Sequence, residues 1–216
     1  DLHSFPTRRS SDLFHKIGHS WFDLWTKDLE EMGSKRKSLL IVTEYLLKND
    51  WFIEKTGKQG CSFLEIRRGI MHPIARCRID KGTNLDARVI KKSLKTLLEK
   101  NMVIQVCHQE KCLYRINREF FPEVFVNKDL SNSSEIDQDS TFFKVPNYAF
   151  ELYKQTDSLA VILLLGYLFR HSWGYKNNKG VWLTAEEFML GRERYNGMRY
   201  DNGIGFDKST IYGALN

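Results

Sequence analysis

The chain repeats one segment of its own sequence, and this duplication constrains the fold more than any other feature. Residues 78–86 read Arg-Ile-Asp-Lys-Gly-Thr-Asn-Leu-Asp, and residues 199–207 read Arg-Tyr-Asp-Asn-Gly-Ile-Gly-Phe-Asp, at an offset of 121 (199 − 78). Turn-rich segments that lead into short helices, found twice in a basic chain, predict a duplicated helix-turn-helix. Each copy precedes apolar residues at helical spacing: Ile90 and Leu94, then Ile211 and Leu215.

Further matches extend the repeat upstream to roughly 120 residues, the size of a domain rather than of a solenoid repeat. At an offset of 128 (142 − 14), residues 14–17 (Phe-His-Lys-Ile) match residues 142–145 (Phe-Phe-Lys-Val), and residues 22–24 match residues 150–152. Matching blocks in the same order predict two units of one fold. At an offset of 122 (167 − 45) the matching pairs are Tyr45/Tyr167, Leu46/Leu168, Lys48/Arg170, Trp51/Trp173, Ser62/Thr184, Glu65/Glu187, Ile66/Phe188 and Gly69/Gly191.

The ends of the sequence do not coincide with the ends of these units. Residues 1–13 resemble the conceptual translation of a sequencing adapter, so we expect that they are not native. The alternative is a basic arm that reaches toward DNA. The second copy reaches Asn216 about two turns into its last helix, whereas the first continues well beyond the equivalent Lys95. We therefore expect the second unit to be incomplete.

The chain is basic, with 33 Lys and Arg against 27 Asp and Glu and a formal net charge of +6. Exclusion of residues 1–13 leaves the charge unchanged, because this segment holds two basic and two acidic residues. Such a balance is compatible with a polyanionic partner such as nucleic acid. Because no apolar run is long enough to span a membrane, we expect no membrane partner. The cysteines, interpreted as free thiols, predict a cytoplasmic location.

Residues that carry catalytic or metal chemistry form no recognisable pattern. Ser-His-Asp, P-loop and HExxH patterns do not occur, so we predict no enzyme activity, no metal, no cofactor and no small-molecule ligand. His72 and His108 lie near cysteines, but the spacing is not typical of a zinc site, and free thiols in a reducing compartment are favoured. The four cysteines, which form no CxxC motif, are Cys61, Cys77, Cys107 and Cys112.

The periodicity of residues 14–125, called unit 1 from here on, predicts helices followed by a hairpin. A short helix is expected within residues 21–32, and three further helices follow it. The first of these three spans 35–49 with Ser34 as its N-cap, the second begins at a Ser62/Glu65 capping box, and the third spans 86–100. Trp51 is expected to close the first of these three. Two β-prone runs, 102–107 and 112–116, flank a polar tip and predict a hairpin. Three helices followed by a hairpin are typical of a winged-helix domain.

Residues 142–216, called unit 2, repeat this plan after a polar, acidic stretch at 126–141 that we predict to be a linker. Asp157 is expected to cap a strongly apolar helix, and Thr184-Ala-Glu-Glu187 is a second capping box. The last helix begins near Asp207. The predicted fold class is therefore α+β, mainly α with small β wings, arranged as two tandem winged-helix domains of which the second is truncated.

The last helix of each unit carries the candidate DNA-binding residues. A helix-turn-helix places its second helix in the major groove, where N-terminal side chains meet base edges. Basic residues of the hairpin could lie along the phosphates, which set affinity and register. The alternative is a solvated basic helix face without a ligand. The candidates are Ala87, Arg88, Lys91, Lys92, Lys95, Lys111 and Arg115 in unit 1, and Lys208, Ser209, Thr210, Tyr212 and Asn216 in unit 2.

The repeated aspartates allow two interpretations. A repeated acidic pair could bind a metal in a nuclease. However, Asp86 and Asp207 precede helices, where aspartate is a preferred N-cap. Asp80 and Asp201 stand two residues before a glycine, as in turns, so structural roles are favoured. The neighbouring arginines, which could pair with these carboxylates or contact phosphate, are Arg78 and Arg199.

Unit 2 resembles the N-terminal winged-helix domain of phage and plasmid replication initiators of the O-protein type. The resemblance rests on Phe143-Lys-Val-Pro-Asn147, on the helix end Arg170-His-Ser-Trp-Gly-Tyr175, and on residues 203–215. Asp207 stands where the family has Ser or Thr. In unit 1, Ile17-Gly18 replaces the Pro-Asn element, and Leu85-Asp-Ala-Arg88 replaces the recognition turn.

The resemblance implies double-stranded DNA as a partner, with replication proteins such as a helicase or its loader. Sequence-specific DNA binding in replication initiation of a phage, plasmid or other mobile element is the favoured hypothesis. A transcriptional regulator with the same DNA chemistry and a winged-helix adaptor that binds proteins are the alternatives.

Overall fold

The computed structural model describes residues 14–18, 20–71, 80–108, 111–125, 142–172, 182–193, 197 and 201–216. Several predictions concern residues outside these ranges: the adapter-like residues 1–13, the linker 126–141, Arg78 and Arg199, His72, Cys77 and Trp173. The side chain of Trp51 also lies outside what is described.

Unit 1 is mostly helical and contains a small three-stranded sheet. The short helix α1 (Trp21–Asp23) continues through a π-helical turn (Leu24–Asp28) into a 3₁₀ segment (Glu30–Lys35). The elements in chain order are β1 (Phe14–Gly18), α1 (Trp21–Asp23), α2 (Arg36–Lys55), β2 (Cys61–Ser62), α3 (Phe63–Arg68), α4 (Ala87–Glu99), β3 (Val103–His108), β4 (Lys111–Ile116) and α5 (Pro122–Phe125).

Helix α2 forms the centre of unit 1, because its apolar side chains are buried on several sides. The predicted N-cap Ser34 is wrong: the helix begins at Arg36, directly after the 3₁₀ segment, and no side chain caps it. The predicted end near Trp51 is also wrong, since the helix runs to Lys55 and buries Ile53 in its last turns.

The sheet of unit 1 is antiparallel, with strand order β2-β4-β3. The predicted hairpin is confirmed as β3 and β4. The prediction of free thiols is wrong for two cysteines, because Cys107 and Cys112 form a disulfide. They are directly opposite each other in the strand register, with Cα atoms 4.2 Å apart, so the hairpin itself brings the thiols together. Cys61 is a free, buried thiol, as expected.

Unit 2 begins with β5 (Phe142–Pro146), followed by α6 (Ala149–Gln155), α7 (Leu159–Ser172), α8 (Ala185–Leu190) and α9 (Lys208–Leu215). Asp157 was predicted to cap the apolar helix α7, but its carboxylate accepts a hydrogen bond from Lys37 Nζ of unit 1 at 2.8 Å. Ser158 stands at the start of α7 instead, where its hydroxyl accepts from the Val161 N–H at 3.4 Å.

The predicted capping devices of both units are confirmed. The Ser62 hydroxyl accepts from the Glu65 N–H at 3.2 Å, and the Glu65 carboxylate accepts from the Ser62 N–H at 2.8 Å. The equivalent distances between Thr184 and Glu187 are 3.1 Å and 2.7 Å. Each box satisfies backbone donors at a helix start that would otherwise lack partners.

The two units pack into one body. Strand β1 of unit 1 pairs with β5 of unit 2 as an antiparallel two-stranded sheet. Beneath it, one continuous hydrophobic core joins side chains of both units, including Ile17, Tyr45, Val145, Phe150 and Tyr167. The repeated tyrosines Tyr45 and Tyr167 both belong to this core, where they are fully buried.

The predicted α+β class is confirmed, since the described chain is mainly helical with a three-stranded antiparallel sheet in unit 1 and a two-stranded sheet between the units. Across the described residues, no helix has the length and apolar character that a membrane crossing requires.

Candidate nucleic-acid interface

Helix α4 has one buried face and one exposed basic face. Ile90, Leu94 and Leu97 are each at most 3 % exposed and hold the helix against the core. The opposite face is exposed and carries the predicted candidates Arg88, Lys91, Lys92 and Lys95. Their spacing of three or four residues places them on adjacent turns of one helix face. The structure therefore brings these four cations together on one surface, called the α4 basic face from here on.

The first turn of α4 is fixed by its N-cap. The Asp86 carboxylate accepts a hydrogen bond from the Arg88 N–H at 2.7 Å, as predicted for an aspartate before a helix. This cap fixes the conformation of the first helical turn, which carries Ala87 and Arg88. At the other end of the basic face, Lys95 Nζ lies 3.8 Å from the Glu99 carboxylate, and both side chains are exposed. Exposed pairs of this kind are weak, so Lys95 remains available to another anion.

A shallow groove runs beside the α4 basic face. It is lined by apolar side chains of α3, α4 and β4 together with Lys91, Lys95 and Glu99 of α4. The apolar lining residues are Phe63, Leu94, Leu98 and Tyr114.

The hairpin candidates occupy two different positions. Lys111 is exposed at the first residue of β4, next to the hairpin tip. Arg115 is half-buried, and its Nε is inaccessible. Because neighbouring residues of a strand face opposite sides, Arg115 points away from Tyr114 and from the groove beside α4. The structure thus separates Arg115 from the α4 basic face.

Helix α9 of unit 2 corresponds to α4 but has different chemistry. The Asp207 carboxylate accepts hydrogen bonds from the Ser209 hydroxyl at 2.6 Å and from the Thr210 N–H and hydroxyl, each at 2.9 Å. These hydrogen bonds lower the pKa of Asp207 to about 2. The exposed Lys208 lies over the Tyr212 ring, with Nζ 5.8 Å from the ring centroid. The two hydroxyls are therefore engaged in capping, while Lys208, Tyr212 and Asn216 are exposed.

Asp80 ties the segment before α4 to the core of unit 1. Its carboxylate accepts hydrogen bonds from the Tyr45 hydroxyl at 3.2 Å and from the Gly82 N–H at 2.7 Å. Lys48 Nζ lies 4.0 Å away. The prediction that this aspartate forms a turn is confirmed. The buried carboxylate thereby connects α2 to the loop that leads into the α4 basic face.

Asp201 repeats this arrangement in unit 2. Its carboxylate accepts from the Tyr167 hydroxyl and from the Gly203 N–H, each at 2.8 Å. Arg170 and His171 also lie close to this carboxylate, with a guanidinium nitrogen at 3.7 Å and the His171 Nε2 at 3.3 Å. Burial opposes ionisation of this carboxyl, but the contact with His171, the charge of Arg170 and the hydrogen bond from the Gly203 N–H outweigh it. The pKa of Asp201 is therefore lowered to about 2.

Acid is expected to weaken unit 2 through Asp201. Because its pKa is lower in the folded chain than the ordinary 3.8, its stabilising contribution is present above that ordinary pKa and is lost as the pH falls through about 2. Urea unfolding of Asp201→Asn should therefore show a large loss of stability at pH 6 and a smaller one at pH 3. The exposed Asp28→Asn is the control, with no such change; an equal loss for Asp201→Asn at both pH values would contradict the assignment.

Sequence reasoning missed the roles of Tyr45, Tyr167, Lys48 and Arg170 in holding these carboxylates. The signal was present, because all four belong to the block that repeats at an offset of 122. Within the described residues, no three His, Cys, Asp or Glu side chains cluster as a metal site would require. The repeated aspartates instead serve the turns before α4 and α9.

Comparisons with protein-family models, curated protein sequences and solved structures found no match.

Proposed function

We propose that the chain binds double-stranded DNA sequence-specifically through two winged-helix units. The observation that carries this proposal is the α4 basic face, where four exposed cations stand opposite a buried apolar stripe. Arg and Lys at the start of such a helix suit the O6 and N7 atoms of guanine. Cations farther along the helix suit phosphates, which supply salt-dependent affinity.

The order of elements in unit 1 supports the winged-helix assignment. Helix α2, strand β2, helices α3 and α4, and the hairpin of β3 and β4 follow one another, and β2 pairs with β4 to close a three-stranded sheet. In this assignment α4 is the recognition helix and the β3–β4 hairpin is the wing. Lys111 near its tip would lie along the DNA backbone.

Unit 2 supports the same assignment through its matching helices. Helix α8 begins with a capping box as α3 does, and α9 begins with an aspartate N-cap as α4 does. Its exposed Lys208 and Tyr212 offer one cation and one hydroxyl to DNA, with Asn216 at the end of the helix. We assign unit 2 a contribution to base recognition and unit 1 the larger electrostatic contribution.

The biological role that we propose is replication initiation on a phage, plasmid or other mobile element. The support is the resemblance of unit 2 to O-type initiators, which also makes a helicase or its loader a candidate partner. Neighbouring genes that encode such a helicase would support this role, whereas an effector-binding domain on the same polypeptide would favour transcriptional regulation.

The salt dependence of DNA binding tests the proposal. Fluorescence anisotropy of a labelled duplex should show log Kd rising linearly with log salt concentration, with a slope of about 0.9 for each phosphate that the protein neutralises. A protein-binding adaptor that uses the groove beside α4 would show no such dependence. A slope near zero between about 50 mM and 200 mM salt, a range over which phosphate-binding proteins lose affinity steeply, would therefore overturn the DNA assignment.

A further inference from the structure

The two units are related by a pseudo-two-fold axis that passes between β1 and β5. The backbone register pairs Phe14 with Pro146, Lys16 with Lys144, and Gly18 with Phe142. Lys16 and Lys144 are also equivalent positions of the repeat, as are Phe14 and Phe142. Exchange of the two units therefore leaves the register unchanged. Such an isologous contact is the kind that joins the subunits of a symmetric dimer.

Aromatic contacts across the interface obey the same symmetry. Phe22 of unit 1 meets Tyr167 of unit 2 edge to face, with ring centroids 5.6 Å apart. Phe150 of unit 2 meets Tyr45 of unit 1 with ring centroids 5.8 Å apart. Phe22 and Phe150 are equivalent in the repeat, and so are the two tyrosines. Each unit therefore inserts the same aromatic residue against the central helix of the other.

Cationic contacts across the interface are reciprocal as well. Lys48 of unit 1 lies over the Phe150 ring at 5.1 Å, and Arg170 of unit 2 lies over the Phe22 ring at 5.8 Å. Lys48 and Arg170 are equivalent in the repeat. In addition, Lys154 Nζ donates to the Gly82 carbonyl at 3.0 Å. The interface thus reaches the loop that precedes α4, so the packing between units holds the recognition helices in a fixed relation.

We infer from this symmetry that the DNA target consists of two half-sites in inverted orientation, an inference that rests on the proposed DNA-binding function. Helices α4 and α9 follow equivalent segments of the two units and are therefore related by the same axis. Two recognition helices related by a two-fold axis meet half-sites of opposite orientation, as in symmetric helix-turn-helix dimers. A tandem arrangement on a flexible linker would instead allow direct repeats and variable spacing.

The two half-sites differ in sequence, because the recognition helices present different side chains. At the repeat offset of 121, Arg88 corresponds to Ser209, and Lys91 corresponds to Tyr212. An arginine favours guanine, whereas serine can bond several bases. Lys95 corresponds to Asn216, which removes a positive charge. The target is therefore an asymmetric inverted repeat, on which the protein sits in one orientation only.

Selection from a random duplex pool with the full chain tests this inference. The selected sequence supplies both half-sites and their spacing. Three duplexes are then compared by anisotropy: the selected site, the same site with one half-site inverted in place, and the same site with one half-site scrambled. We expect the duplexes with an inverted or a scrambled half-site to bind with equal affinity. Each should bind about a hundredfold more weakly than the selected site, because only one unit can then engage its half-site and the avidity is lost.

The outcomes separate this inference from the function on which it rests. Equal affinity for the selected site and for the duplex with one half-site inverted would overturn the two-fold arrangement while leaving DNA binding intact. Enrichment of a single half-site, unaffected by its flank, would do the same. No salt-dependent binding to any duplex would overturn the proposed function and this inference together.

A cross-link on the axis gives a second test. The backbone of opposite residues in an antiparallel pair lies within reach of a disulfide, so Lys16→Cys with Lys144→Cys should be oxidised into a bond between the units. We expect the oxidised double variant to retain the affinity and the orientation preference of the native chain. Lys16→Cys alone, treated identically, is the control. Loss of binding in the oxidised double variant alone would show that the units separate on DNA, which contradicts the inference.

Discussion

Replacement of Lys91, Lys92 and Lys95 together by alanine is expected to weaken DNA binding by about a hundredfold at roughly 0.15 M salt, because the protein then neutralises three fewer phosphates and displaces fewer counterions. The slope of log Kd against log salt should fall by up to about 2.7, which is about 0.9 for each phosphate no longer neutralised. The fold should be unaffected, since all three side chains are exposed and the buried stripe of α4 is unchanged. Anisotropy titrations over a series of salt concentrations measure both quantities.

The matched control removes the same charge elsewhere. Lys27, Lys35 and Lys55 are exposed and lie outside α4, so their triple alanine variant has the same net charge as the α4 variant. We expect it to lower affinity only slightly, through the long-range field of the protein. Equal losses of affinity in the two triple variants would mean that net charge, and not the α4 basic face, drives binding.

Arg88→Ala should behave differently from the lysine variants. As the candidate for base contact at the start of α4, it is expected to relax sequence preference at one position of the unit 1 half-site, at a cost of about 1–3 kcal/mol on the preferred base. Its effect on a scrambled duplex should be smaller. The same loss of affinity on selected and scrambled duplexes would assign Arg88 to phosphate instead.

Local signals in the sequence predicted the elements that carry the candidate interface. The two capping boxes, the aspartate N-caps, the apolar stripe of α4 and the hairpin all depend on residues close together in the chain. Their chemistry is the same wherever the segment lies in the fold, because an N-cap satisfies donors only two or three residues away. The basic face of α4 follows directly from the stripe on its other side.

Contacts between distant residues were beyond what the pattern could predict. Nothing local to residues 14–18 or 142–146 indicates that these strands pair with each other, since a strand can add to any free edge. The Cys107–Cys112 disulfide depends on the register of the hairpin, in which the two residues become direct neighbours. The wrong N-caps Ser34 and Asp157 show the same limit: a side chain that could cap a helix can bond elsewhere, as Asp157 does to Lys37.

The glycines of the repeated segment explain why that segment is shared by the two units. Gly69 and Gly82 approach each other so closely that a Cβ on either would overlap backbone atoms across the loop. Gly191 and Gly203 do the same in unit 2. The described part of the segment, from its aspartate onward, thus packs against the end of α3 or α8, and this aspartate accepts a hydrogen bond from the central tyrosine of the unit. This close packing fixes the starts of α4 and α9.

Gly82→Ala is therefore expected to destabilise the protein far more than Gly57→Ala, although the two glycines have nearly the same φ, 66° and 67°. Both variants carry the strain of a left-handed residue, about 1 kcal/mol. A Cβ at Gly57 meets nothing within 4 Å, whereas one at Gly82 would lie 2.6 Å from the Arg67 carbonyl oxygen. Because backbone atoms cannot rotate away, we expect a total loss of about 3 kcal/mol or more at Gly82.

Urea unfolding followed by circular dichroism measures this difference, and the second unit provides a replicate. Gly203 has a φ of 67°, and a Cβ there would lie 2.5 Å from the Phe188 carbonyl oxygen. Gly203→Ala should therefore match Gly82→Ala rather than Gly57→Ala. If the free energy of unfolding fell equally in all three variants, the left-handed backbone strain alone would explain why glycine is required at Gly82 and Gly203. A larger decrease at Gly82 and Gly203 would instead show that the close packing of these glycines on α3 and α8 holds the starts of α4 and α9 in place.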